Sequence, residues 1–256
     1  FGFDAIVASA GAYVSANDKV IYHSVLANDK VQDMVEVLKE HGACFMLQGI
    51  NGRYVDEENA KKMRERCMRL GLDIDGALNG LTLVEHPEQM PALESGMYFD
   101  ADIPVDVMQK EVGNYIKITG ASFGKDRQMS GEMTKMGVNK ATGMQRLMDE
   151  LKIGREDTIA FGDGPNDVEM LQFAGTGVAM GNAIPAVKQY ADMVTDKIDE
   201  DGLYLALKKL GLLDERVEKF LKKVEGKHIV LDLADFSLKE SGIKEKYSPL
   251  VDALIM

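Results

Sequence analysis

Cysteine is scarce: Cys44 and Cys67 are the only two in 256 residues, too far apart to read as a metal knuckle or a disulfide framework. A reducing, cytoplasmic setting is expected. Histidine is scarce too, and His23, His41, His86 and His228 show no ligand spacing with one another or with cysteine, so each reads as surface or satisfied core. Long apolar runs are missing. None approaches the roughly 18–20 residues of a spanning helix, and no charged-then-apolar leader opens the chain. Positive charge is also in deficit, with 30 Lys and Arg against 42 Asp and Glu and a net charge of −12. That balance repels nucleic-acid backbones and anionic lipid headgroups. Neither nucleic acid nor membrane is an expected partner.

What is there is a globular composition, 45% hydrophobic and 28% charged, in a chain long enough for two modest domains. The opening Phe3-Asp4-Ala5-Ile6-Val7-Ala8 is an apolar run stopped by the small residues Ser9-Ala10-Gly11-Ala12, as a buried strand entering a turn should be. Val20-Ile21-Tyr22 predicts a second strand. Val31, Met34, Val35 and Leu38 then fall at helical spacing before Gly42, and Ala60, Met63, Cys67 and Leu70 form a second stripe ending at Gly71. Cys67 is therefore core. Tyr115–Thr119 alternates as a strand. From about residue 126 helix and strand alternate, with helices at 144–151, 186–191 and 203–210 and strands at 158–161 and 176–180, which implies a parallel sheet. The sixteen methionines, many at helix core positions, read as packing.

The segment richest in chemistry is Phe161-Gly162-Asp163-Gly164-Pro165-Asn166-Asp167-Val168-Glu169-Met170-Leu171. It follows an apolar strand and precedes an amphipathic helix, where an open parallel sheet places its ligands. Asp163 and Asp167 stand four apart across a Gly-Pro turn, so two carboxylates and the Asn166 amide can converge. Hard oxygen ligands of this kind suit Mg²⁺ and a phosphate oxygen. The bland alternative is a turn followed by an Asp helix cap. Against it stands Lys140, upstream in Gly137-Val138-Asn139-Lys140-Ala141-Thr142-Gly143 at the start of the helix leading into that strand. An ammonium group there can neutralise a phosphate and a carboxylate nucleophile together.

These motifs, with Gly177-Val178-Ala179-Met180-Gly181-Asn182-Ala183, Val187-Lys188, Ala191-Asp192, Val194-Thr195 and Asp199-Glu200-Asp201-Gly202-Leu203, resemble the Cof-type branch (cap class IIB) of the haloacid dehalogenase (HAD) superfamily. That family contains Mg²⁺-dependent phosphatases with an inserted cap. The resemblance runs from about residue 1 to 213. It implies an α/β fold: a Rossmann-like core of residues 1–23 and 126–213, an α/β cap of residues 24–125, and a C-terminal extension of residues 214–256. It also implies a cytoplasmic hydrolase, monomer or homodimer, acting on small phosphorylated metabolites through an aspartyl-phosphate. Lys140 would be the phosphate-neutralising and catalytic lysine, Asp163 a metal ligand, Asp167 a second acid at the metal site and Asn166 a substrate contact. In the turn Ser9-Ala10-Gly11-Ala12, Ala10 stands where the family has asparagine.

The family's reaction also needs an Asp-x-Asp pair and a following Ser or Thr, both of which precede the matched segment. An upstream segment before Phe1 is the expected source. Two stretches imitate them. Asp73-Ile74-Asp75-Gly76 looks like the missing pair, with Thr119 as the later hydroxyl, although Asp73 follows a helical stripe instead of a buried strand. Asp232, in the apolar His228–Leu233 stretch, could lie on a strand refilling the core sheet, but Ala234 occupies the second acid's place. The rival function is a non-catalytic phosphate- and Mg²⁺-binding protein that lacks the nucleophile.

Overall fold

The computed structural model describes residues 5–121 and 128–213. Strand β1 (Ala5–Ala8) runs into a 3-10 turn at Ser9–Gly11, β2 (Tyr13–Ala16) returns and β3 (Lys19–His23) completes an antiparallel three-stranded sheet. The residues after the turn thus make a strand of their own. Val14 and Ala16 are buried while Tyr13 and Ser15 are half-buried, the alternation of a sheet with one face on a core.

Helix α1 (Asn28–Glu40) buries the expected stripe of Val31, Met34, Val35 and Leu38. β4 (Cys44–Gly49) and β5 (Gly52–Val55) form a hairpin, and α2 (Glu57–Leu70) follows, capped by the Asp56 side chain and stopped by Gly71 in a left-handed conformation. α3 (Ile74–Leu78), β6 (Leu81–Leu83), β7 (Leu93–Phe99), α4 (Val105–Val112), β8 (Ile116–Gly120) and β9 (Gly131–Lys135) come next. The strands pair in the order β6-β5-β4-β7-β9-β8. Along β4 the side chains divide by parity: Phe45 and Leu47 pack with α1, Tyr98 and Met133, whereas Cys44 and Met46 pack with Ala60 and Met63 of α2. One sheet is thereby covered on both faces. The expected cap boundary at 125/126 falls between β8 and β9, which are neighbouring strands of this sheet.

The rest alternates as predicted. α5 (Lys140–Leu151), β10 (Ile159–Gly162), α6 (Val168–Phe173), β11 (Thr176–Ala179), α7 (Pro185–Lys188), β12 (Met193–Val194) and α8 (Gly202–Lys209) build a parallel sheet β10-β11-β12 with its helices. Met144 and Met148 of α5 pack with Ala160, Met170, Leu171 and Ala179, while Leu147 packs on Ala5, Val7 and Val14. α5 therefore joins the first sheet to the third. Each of these buried methionine, leucine and valine side chains contributes about 1.5–3 kcal/mol. The fold is α/β, and no helix among the described residues is long and apolar enough to cross a membrane.

Candidate active site

Strand β10 ends at Gly162, and a Cβ there would lie 2.5 Å from the Asp167 Cβ. Glycine lets the loop fold back on itself. Asp167, 5% exposed, turns its carboxylate under the loop: Oδ2 accepts the backbone N–H groups of Asp163 and Gly164, both at 3.0 Å. Its Oδ1 accepts from Lys140 Nζ at 2.6 Å. Both oxygens are engaged, so a cation at Asp167 would compete directly with the lysine.

Lys140 is the first residue of α5, behind the cap Asn139, whose side chain accepts the Thr142 N–H at 2.8 Å. A cation at a helix N-terminus opposes the macrodipole. Asp167 offsets that cost, and the ammonium and the helix start together form an anion-attracting corner. Asp163 points elsewhere. It is exposed, and its Oδ2 accepts from Asn182 Nδ2 at 3.0 Å, from the loop after β11. Asn166 Nδ2 donates to both oxygens of Glu132, at 3.1 and 3.0 Å, reaching from the β10–α6 loop to β9. Nearby, Lys117 of β8 pairs with Glu169 of α6.

Ala10, Lys117, Thr119, Glu132, Lys140 and Asn166 line a cleft between the six-stranded sheet and the β10 loop, enclosing about 10 Å³, roughly room for one water. The structure thus joins Lys140 and Asp167 by side chains and ties Asp163 to Asp167 through backbone N–H. Asp167 Oδ1 already pairs with Lys140, and Asp163 Oδ2 bonds the Asn182 amide. Asp163 alone of the pair offers an exposed carboxylate, and among the described residues no three His, Cys, Asp or Glu groups cluster for a metal. One carboxylate completed by waters and phosphate oxygens still fits the coordination habits of Mg²⁺.

Of the imitators, Asp73 is the N-cap residue of α3 and Asp75 lies within it; α3 packs on α2, and neither residue lines the cleft. Thr119 does line it. Asp232 lies outside the described residues. Glu132, Lys117 and Glu169 escaped the sequence reading because a charged residue on an alternating strand or a helix face looks like ordinary solvated surface. Only the pairing of strands shows that they meet.

Carboxylate, lysine and helix N-terminus thus lie together beside the carboxyl ends of parallel strands, against a second α/β layer. A sequence profile of the haloacid dehalogenase-like hydrolases matches residues 1–207, and the chain belongs to that family. It is 54% identical over 77 residues, 30% of this chain and 28% of the relative, to the 5-amino-6-(5-phospho-D-ribitylamino)uracil phosphatase YitU of Bacillus subtilis. To YcsE, named for the same activity in that organism, it is 26% identical over 204 residues, 79% of this chain and 70% of the relative. The chain spans a third or less of the length of several curated relatives that it matches. Among solved structures it is similar to the HAD subclass IIB sugar phosphatase BT4131, with TM-score 0.65 and 27% identity over 82% of this chain and 76% of that one.

Proposed function

We propose that this protein is a Mg²⁺-dependent phosphoric monoester hydrolase that acts on a small phosphorylated metabolite in the cytoplasm. The observation that carries the proposal is the Lys140 ammonium held 2.6 Å from the buried Asp167. A cation fixed at a helix start by a carboxylate that also shapes the adjoining loop is preorganised for an anion. Asp163 would hold Mg²⁺ from its exposed carboxylate. The ion, when bound, neutralises phosphoryl oxygens and orients them. Asp167 keeps the loop and the lysine in register, Lys140 balances the growing charge, and Asn166, once released from Glu132, contacts the substrate. The six-stranded layer, β9 included, serves as the cap.

The reaction would begin with an aspartate carboxylate attacking phosphorus while the ester oxygen departs with a proton, and water would then cleave the acyl phosphate. No aspartate is among the described residues lining the cleft. That observation supports a second reading, phosphate binding without turnover, for the described residues. Hydrolysis of para-nitrophenyl phosphate with Mg²⁺ separates the two. It should be measured on this chain and on one extended upstream. Turnover by the extended chain that is lost in Lys140→Ala supports the phosphatase; silence from both chains defeats it in favour of binding alone.

A further inference from the structure

Glu94, on β7, is 2% exposed, and a carboxylate so buried must be held by partners. One partner comes from another sheet. Ser9 Oγ, in the turn after β1, donates to Glu94 Oε2 at 2.5 Å and accepts from Gln48 Nε2 of β4 at 3.1 Å. His23 Nε2, at the end of β3, lies 2.6 Å from Glu94 Oε1, at ion-pair distance though not aligned for a hydrogen bond. Four polar side chains thus meet where the first sheet passes into the second. The connection is stitched on both sides: the Ser24 N–H bonds Ala12 O and the Leu26 N–H bonds Leu93 O, each at 2.7 Å.

The turn held by Glu94 has an unusual backbone. Ser9 and Ala10 have φ of 49° and 51°, left-handed values that carry a steric cost for residues with a Cβ, and Gly11 follows at 97°. Gly11 lies against the start of α5: a Cβ on it would come within 2.0 Å of Asn139 O, and one on Gly143 within 2.9 Å of the Gly11 Cα. Ala10 and Lys140 line the same cleft. A continuous set of contacts therefore runs from Glu94 through Ser9 and the strained turn to the helix start that carries the lysine.

We infer that Glu94 is a positioning residue. Through Ser9 it pins the Ser9–Gly11 turn in its left-handed conformation and so fixes Ala10 and the first turn of α5 around the phosphoryl group. The inference rests on the phosphoryl-site reading above and adds a control over that site from the opposite sheet. With the pin removed, the turn relaxes and the anion corner loosens while its chemical groups all remain.

The test is binding of inorganic phosphate in Mg²⁺ by titration calorimetry, which needs no nucleophile, with steady-state kinetics on the upstream-extended chain. Glu94→Leu and Ser9→Ala should each weaken phosphate binding and raise KM about tenfold with kcat little changed, as losing one charge-assisted hydrogen bond to a positioning element predicts. The double variant should be no worse than either single, because both break one link. Glu94→Gln keeps an acceptor for Ser9 and should bind within about twofold of the wild type, a rescue that general loss of stability would not produce. Ser9→Ala serves if Glu94→Leu fails to fold. Phosphate binding that depends on Lys140 but is unchanged in Ser9→Ala, or additive losses in the double variant, overturns the pin alone. Absence of phosphate binding in the wild type, or full binding by Lys140→Ala, overturns the site and the pin together.

Discussion

Replacing Asp167 by alanine tests the centre of the site. The substitution strands the Lys140 ammonium, whose side chain is 23% exposed, and leaves the N–H groups of Asp163 and Gly164 without their acceptor. Breaking a buried ion pair by removing one partner costs about 3–5 kcal/mol. Access of water to the lysine and to the Asp163 end of the loop moves the figure toward the lower end, about 3 kcal/mol. In a domain pair of this size that is a fall in Tm of about 6–12 °C. Lys140→Met alone leaves Asp167 bonded to two N–H groups and should cost less. The double variant should then be about 1–2 kcal/mol more stable than the two losses summed, since it no longer strands a cation. Calorimetric melts of the four proteins give the coupling. The double variant should regain part of the summed stability loss but no phosphate affinity, because the cation that attracts the anion is gone. An Asp167→Ala melt within about 1 °C of the wild type, or strict additivity, would refute the reasoning.

Other consequences are equally open to measurement. Mg²⁺ at about a hundredfold its Kd should stabilise the protein by about 2.7 kcal/mol; Asp163→Asn should abolish the rise in Tm and Asp73→Asn should not. His41 Nε2 lies 2.7 Å from Glu111 Oε2 and Nδ1 lies 2.8 Å from Asp102 Oδ1, and these hydrogen bonds, the Glu111 one foremost, raise its pKa above the usual histidine value. A raised folded pKa stabilises fully below the unfolded value and is lost as pH rises through the folded one. The difference in Tm between the wild type and His41→Gln should therefore shrink from about pH 5 to pH 9, and parallel curves would count against the clamp. Burial pushes the Cys44 thiol up to about 12, so a disulfide reagent at about pH 8 should leave Cys44 unmodified until the protein is denatured. Labelling in the native state would show that the strand opens.

Much of this architecture was legible in periodicity alone. The α1 and α2 stripes and the Gly71 stop appear where apolar spacing put them, because each helix buries a single face. The Gly162–Asp167 segment and Lys140 could be found because a Gly-Pro turn after an apolar strand has few structural uses. Other features depend on pairing between distant strands, which no local pattern encodes. β9 sits in the six-stranded sheet through its register with β7 and β8, although its sequence, Gly131-Glu132-Met133-Thr134-Lys135, alternates like any strand. Four-residue spacing brings Asp163 and Asp167 together at one loop, but that Asp167 bonds Lys140 and the loop N–H groups could not be read from it. Spacing shows which groups can be near one another. It does not show which bond each one makes.

The division of labour along residues 163–169 has an energetic consequence. Asp167 faces inward to Lys140, whereas Asn166 and Glu169, three apart and so on one side of the turn, reach Glu132 and Lys117 of the six-stranded sheet. The segment that orders the phosphoryl corner is therefore also the seat on which β8 and β9 rest. On the proposed function, a substrate would enter this cleft of about 10 Å³ by parting these contacts. Lys117 and Glu169 are each about a third exposed, at 30% and 35%, and an ion pair that wet is worth about 1 kcal/mol at most, with a partly exposed amide–carboxylate bond adding about 1 kcal/mol. Parting these two contacts alone costs about 2 kcal/mol, which a bound phosphorylated ligand would have to offset through contacts of its own. Asp167 is different in kind: buried and triply bonded, it stays in place while its neighbours let go. Such an opening, on the proposed function, would let Asn166 and Lys117 meet a substrate while the Lys140–Asp167 pair stays in place to receive the phosphate.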